Sequence, residues 1–276
     1  MKKSDIPALL DEFIIELKYQ EKAERTLMKY RADVIKFIEF VQHDNPISKD
    51  DVLEYKKFIS SGQYKPRSIN SYIVALNKFL KWCGQENLKV KKLKMQQRNS
   101  IDDIISFSDY KRLLRFAKKL GYVDIFMIMK IIATTGIRIS ELKFFTVEGI
   151  KSFYIHVRNK GKDRDIILTQ ELARELRKYC RDHNIKSGRI FNLGDVAIWR
   201  KMKKIAGASR VNKEKVHAHS FRHLFAKEFM AEYNNALELA DILGHSSLET
   251  TRIYTRSTNE EKRKKLEKMK IKGVKK

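Results

Sequence analysis

Apolar residues recur at helical intervals along the first third of the chain. Ile6, Leu9, Leu10, Phe13, Ile14 and Leu17 fall on one face. Tyr30, Val34, Phe37, Ile38 and Val41 repeat the pattern behind Thr26, which reads as a cap, and Asn45-Pro46 closes the segment. A short third helix is predicted over Asp51–Ser60. The turn Ser61-Gly62-Gln63 and Pro66 then introduce a fourth, with Ile69, Tyr72, Ile73, Leu76, Phe79, Leu80 and Cys83 at the same spacing. These stripes are core faces, so residues 1–90 are expected to form a small four-helix domain. Lys89–Ser100 is polar, basic and without period. It marks a linker, placed at 91–103.

A second domain is expected over 104–258. Ser106 or Ser108 caps a helix that runs to Leu120, followed by a buried helix over Val123–Thr135. Gly136 breaks it, and Arg138–Phe145 restarts a helix. The period then changes. Phe153–Val157 and Ile166–Leu168 are β-rich runs flanking the charged stretch NKGKDRD, which predicts a hairpin. Thr169 caps the next helix, which carries Leu172, Leu176, Tyr179 and Cys180. Helices follow over Val196–Ile205, Ser220–Tyr233 and Ala236–Leu243, with a shorter segment around Tyr254. A charged tail, 259–276, holds few apolar anchors (Leu266, Met269, Ile271). The expected fold is mainly α with one small β-hairpin, an α+β chain with two domains.

Charge narrows the function. Among 276 residues, Lys and Arg number 59 and Asp and Glu 34, a formal net charge of +25. The excess is clustered: residues 1–50 are net −1, 51–100 net +8 and 101–276 net +18, of which the tail supplies +6. An acidic partner is expected, most simply nucleic acid, because clustered cations release counterions together. Lys56, Lys57, Lys65, Arg67, Lys78 and Lys81 lie on the polar faces of the first domain and are the candidate DNA contacts there. The longest apolar stretch, around Ile125–Thr135, is interrupted by Lys130 and is too short to span a bilayer. Cys83 and Cys180 have no metal-ligand spacing and make no disulfide framework. A cytoplasmic, nucleoid-associated protein is expected, with no membrane partner and no metal.

Four stretches of the second domain carry chemistry-bearing residues. They are Thr135-Gly136-Ile137-Arg138-Ile139-Ser140-Glu141-Leu142, then Lys160-Gly161-Lys162, then His219-Ser220-Phe221-Arg222-His223, then Leu243-Gly244-His245 with Tyr254 nine residues on. Taken singly, each has an ordinary structural explanation. In this order they resemble the tyrosine recombinase family, the site-specific integrases and resolvases, and the resemblance covers nearly the whole chain. It implies a helical, SAM-like core-binding domain, a linker and a catalytic domain. With no further arm-binding domain, the chain is most similar to the simple Xer-type or compact mobile-element enzymes. The implied activity is DNA cleavage and rejoining through a 3′-phosphotyrosyl link and a Holliday junction, without metal, ATP or other cofactor. The implied partner is double-stranded DNA with inverted half-sites, bound by a homotetramer on paired sites.

The residue types suit that chemistry. A tyrosine hydroxyl conserves the phosphodiester energy in a covalent link, and Tyr254 sits at the nucleophile position. Its ordinary pKa near 10 leaves about one part in a thousand ionised at neutral pH, so neighbouring cations are expected to lower it. Arg138 and Arg222 match the two guanidiniums that clamp the phosphate. The hairpin lysine of the family protonates the departing 5′ oxygen. Lys160 matches it, with Lys162 as the alternative and a further DNA contact. His219 matches the proton-transfer histidine, His245 a phosphate contact and Glu141 a supporting acidic position. His223 is open between a structural and a functional role, while His217 and His156 are expected to be non-catalytic. One departure stands out: Arg256 occupies the place two after Tyr254 where many relatives carry histidine. The tail is expected to dock on a neighbouring protomer. The competing readings are a catalytically silent DNA binder, a type IB topoisomerase and a basic structural or membrane-surface protein.

Overall fold

A computed structural model of the chain describes residues 1–62, 64–95, 105–159 and 162–244, together with Thr251, Tyr254, Arg263 and Glu267. The chain divides into two compact units, Met1–Gln97 and Arg98–Lys276.

The first unit is built from α1 (Ile6–Tyr19), α2 (Glu24–Phe40), α3 (Lys49–Ser60) and α4 (Pro66–Trp82). The predicted stripes turn inward. Leu10, Phe13, Val34, Phe37, Tyr55, Ile73, Leu76 and Phe79 are all 2% exposed or less and form one apolar core. Phe13 meets Phe79 edge-on, with ring centroids 5.6 Å apart, which ties α1 to α4. Two start signals differ from expectation. The second helix begins at Glu24 behind Ala23, without a side-chain cap, so Thr26 lies inside its first turn. The third begins two residues earlier than predicted, because Ser48 and Asp51 form a capping box around it.

Part of the segment read as linker is held against α4. Asn77 donates from Nδ2 to the Val90 carbonyl (2.7 Å) and accepts from the Val90 amide (3.0 Å). Asn70, two turns earlier on the same face, does the same with Leu93 (3.1 and 2.7 Å). These two amides replace the backbone partners that an extended segment lacks outside a sheet.

In the second unit, α5 (Phe107–Lys119) is capped by Ser106, which accepts from the Asp109 amide; Ser108 only contacts the Ser106 hydroxyl. Helix α6 (Val123–Thr135) is the central element, with Ile125, Ile128, Met129, Ile131 and Ile132 fully buried. Its one lysine, Lys130, reaches Glu175 (2.6 Å) and Glu171 (3.2 Å). The helix expected at Arg138–Phe145 is instead a 3₁₀ segment, Ile139–Phe144. It is short because Arg138 remains extended and the Glu141 side chain binds back to the Arg138 amide (2.7 Å).

The hairpin is longer than the apolar runs suggested. β1 (Tyr154–Asn159) and β2 (Lys162–Ile167) pair antiparallel from Tyr154↔Ile167 to Asn159↔Lys162. Backbone pairing carries the strands into the charged stretch, which propensity alone had assigned to the turn. Ile155, Val157 and Ile166 face the core. Then come α7 (Gln170–Asp182), α8 (Asp195–Ala208), α9 (Ala218–Tyr233) and α10 (Ala236–Leu243). Among the described residues no helix is long and apolar enough to cross a membrane.

Candidate active site

The turn after α6 builds the first wall of the site. Gly136 ends the helix in the left-handed region (φ 65°). A Cβ there would lie 2.5 Å from both Leu243 Cδ2 and Phe225 Cδ1, so α9 and α10 close on this residue. The chain leaves extended at Arg138, whose side chain is 41% exposed. Arg138 Nη1 donates to Glu141 Oε1 (3.2 Å) and Nη2 to the Gly244 carbonyl (3.2 Å).

Helix α9 supplies the second wall. His217 caps it, its Nδ1 accepting from the Ser220 amide (3.2 Å). Burial, and then the charge of Lys203, holds the His217 pKa below its usual value, which suits an acceptor and a structural role. One turn in, Arg222 is 1% exposed. It donates Nη1 to the Gly136 carbonyl (2.5 Å) and Nη2 to the Leu243 carbonyl (2.9 Å). Burial, then the neighbouring Arg138, lowers its pKa to about 10, with Tyr254 and Glu141 opposing and Arg164 adding to the fall. It is still a cation at neutral pH. His219 is exposed, and its ring meets that of His223 at 4.2 Å. His223 in turn meets Tyr254 at 5.3 Å, so it joins the site through ring contacts that its sequence position left open.

Tyr254 is 5% exposed and packs with Ala226, Leu239 and Leu243. Its pKa is pushed up to about 12, against the expectation from the arginines alone. Burial is the larger effect, and Arg222 and Arg138 offset only part of it. The phenol is therefore held in its protonated form at neutral pH.

The residue that sequence reasoning missed is Arg164. It lies on β2 opposite Val157, on the face that turns Ile155 and Ile166 into the core. Its side chain is 14% exposed; Nη2 donates to Glu141 Oε2 (2.7 Å) and Nη1 to the Ile242 carbonyl. The signal was the two-residue period of Arg164, Ile166 and Leu168, which places a charge where an apolar residue is expected. Glu141, 1% exposed, thus serves both Arg138 and Arg164.

Arg138, Arg164 and Arg222 carry three positive charges, and Glu141 carries one negative charge. The cluster keeps an excess of two, and a phosphodiester, singly charged at rest, carries two negative charges as it becomes pentavalent. No cluster of metal-ligating side chains is found among the described residues. Lys160, the side chain of Lys162, and His245 lie outside the described residues, as does the tail except for Arg263 and Glu267.

In the first unit, Lys57, Lys65, Arg67 and Lys81 are exposed, and Lys56 and Lys78 half-buried. Lys78 lies over the Tyr30 ring (5.4 Å), and Lys81 pairs with Glu86 (3.4 Å). Helix α2 adds cations that the sequence reading did not select. Lys36 sits over Tyr72 (4.7 Å) and Tyr64 (5.0 Å), and Lys29 over Tyr72 (5.8 Å). Lys29 and Lys36 are seven residues apart, on one helical face.

Residues 103–261 match the phage integrase family, and residues 10–87 match the phage integrase N-terminal SAM-like domain. The tyrosine recombinase XerA of Pyrococcus horikoshii is 28% identical over 276 aligned residues, covering 95% of this chain and 94% of its own. Among solved structures, a lambda integrase(75–356) dimer bound to a COC′ core site superposes with a TM-score of 0.75 at 17% identity, covering 100% of this chain and 99% of that one. A lambda integrase tetramer bound to a Holliday junction gives 0.74 at 18% identity, covering 94% and 80%. With residues 103–261 matched by its model, more than half of the chain, and with arginines gathered at one tyrosine, the chain belongs to the phage integrase family.

Proposed function

We propose that Tyr254, Arg138 and Arg222 carry out DNA strand cleavage and rejoining in this tyrosine site-specific recombinase. The observation that carries the reading is a buried tyrosine in electrostatic contact with two arginines, inside a cluster that keeps two unneutralised positive charges. The Tyr254 oxygen attacks phosphorus and forms the 3′-phosphotyrosyl bond, while the bond from phosphorus to the 5′ oxygen breaks. The phenolic proton passes to His219, and Lys160 at the hairpin tip gives a proton to the leaving 5′ oxygen, with Lys162 as the alternative donor. Arg138 and Arg222 hold the non-bridging oxygens, Glu141 orients Arg138, and His245 contacts the phosphate. Attack by a 5′ hydroxyl of the partner strand reverses these steps and releases Tyr254.

Tyr254 lies beside Arg222 of its own chain, which supports cleavage in cis. Four copies on two sites with inverted half-sites complete the proposal, following the tetramer of the lambda integrase neighbour. The α2–α4 surface with Lys29, Lys36 and Lys78, joined by Lys56, Lys57, Lys65, Arg67 and Lys81, faces the DNA backbone. The tail docks on a neighbouring protomer; truncation after Thr258 should disturb assembly and the timing of cleavage, and unchanged behaviour would count against docking.

The experiment is covalent trapping on a library of nicked duplexes, followed by denaturation and sequencing of the DNA that stays attached to protein. Wild-type protein should retain DNA and Tyr254→Phe should not. Tight, salt-dependent binding with no adduct from either would mean a silent DNA binder.

A further inference from the structure

We propose that Arg164 is a positioning residue that locks the β-hairpin, and with it the general acid at the hairpin tip, onto the arginine site. The inference rests on the reading of Lys160 as that acid. Three segments meet at this one side chain. Arg164 belongs to β2, three residues from that strand's pairing with Tyr154 at Ile167 and two from the last pair before the tip. It donates to Glu141 in the 3₁₀ segment that follows Arg138, and to the Ile242 carbonyl in the last turn of α10.

The surroundings are shaped to this side chain. Gly244 ends α10 in the left-handed region (φ 62°), and a Cβ there would lie 2.7 Å from Arg164 Cδ. Only glycine leaves that space. The same glycine's carbonyl accepts from Arg138. A two-stranded hairpin is only marginally stable alone, so its tip needs an anchor to hold a lysine within hydrogen-bonding distance of a scissile phosphate. The inward apolar residues anchor its base, and among the described side chains Arg164 is the charged anchor nearest the tip on the same face. Arginine suits the position because its rigid planar fork presents Nη1 and Nη2 in fixed directions to a carbonyl and a carboxylate.

A residue that acts through the general acid leaves a chemical signature. When sulfur replaces the 5′-bridging oxygen, the leaving group departs as a thiolate and needs no proton. The substrate is a nicked duplex bearing the sequence recovered by trapping, prepared with oxygen and with sulfur at the scissile position. On the oxygen substrate, Arg164→Gln should lose about 10²-fold or more in cleavage rate, the lower range for a general-acid contribution. On the sulfur substrate the loss should shrink by about tenfold or more, the remainder being the charge that Arg164 withdraws from the cluster. The ratio of the two rates does not depend on how much protein is folded, and Arg164→Lys gives a second measurement if the glutamine variant folds poorly. Equal losses on both substrates, or no loss on oxygen, would overturn the proposal. Lys160→Ala separates the two readings. If sulfur rescues Arg164→Gln but not Lys160→Ala, the anchoring role stands and the acid is another group on the hairpin. If sulfur rescues Lys160→Ala alone, Lys160 is the acid and Arg164 does not position it.

Discussion

Arg222 offers a prediction in which stability and activity part company. The side chain is 1% exposed and its pKa falls to about 10, chiefly by burial. At neutral pH it is charged in both folded and unfolded chains, so the folded chain holds the cation at a disadvantage of about 3 kcal/mol. Against this stand two donated hydrogen bonds, to the Gly136 and Leu243 carbonyls. Leaving those carbonyls without their donor costs about 2 kcal/mol each. Arg222→Met keeps much of the length and removes the charge, so the balance is a net loss of about 1 kcal/mol. Cleavage, in contrast, should fall by about 10²–10³-fold, because a clamp on the transition-state charge is gone. Urea unfolding gives the first number and single-turnover cleavage of a nicked site gives the second. A loss of about 4 kcal/mol or more would refute the reasoning and make Arg222 a structural bolt. Retained cleavage would remove it from the site.

Further outcomes follow from the same geometry. Gly136→Ala should lower stability by about 2–4 kcal/mol, adding left-handed strain to overpacking against Leu243 and Phe225; an unchanged urea midpoint would contradict it. Tyr254 has its pKa raised from 10.0 to about 12, so the folded chain holds that proton more tightly. Its contribution is fully present below pH 10 and is lost as pH rises through about 12, so stability curves of Tyr254→Phe should be flatter than wild type across that window. Parallel curves would mean the phenol is not buried. Lys36→Ala and Lys78→Ala should each weaken DNA binding at every sequence and reduce the salt slope by about one; an unaltered slope would move the DNA surface elsewhere. Replacing both Asn70 and Asn77 with alanine should release Val90–Leu93 from α4, visible as faster amide exchange at Val90 and Leu93.

The helices were legible because their apolar spacing is regular and their cores are continuous, as in α4 and α6. Segments governed by side-chain hydrogen bonds were not. The 3₁₀ form of Ile139–Phe144 depends on Glu141 turning back to the Arg138 amide, and a periodicity analysis has no access to that contact. The hairpin strands extended into polar sequence because backbone pairing, rather than propensity, set their length. At the site, Arg138, Arg222, His219 and Tyr254 came from motif order, while Arg164 was hidden inside a charged stretch and shows only as a break in strand alternation. The raised Tyr254 pKa was the opposite of expectation because motifs report which charges are near and say nothing of burial, which here outweighs them.

Tyr254 as nucleophile is tested by the covalent link itself. Wild-type protein and Tyr254→Phe are incubated with nicked duplex, denatured and digested, and the DNA-bound peptide is identified by mass. The wild type should carry a 3′-phosphoryl adduct on Tyr254 and the variant none. An adduct that persists in Tyr254→Phe, or one mapped to another tyrosine, would contradict that role.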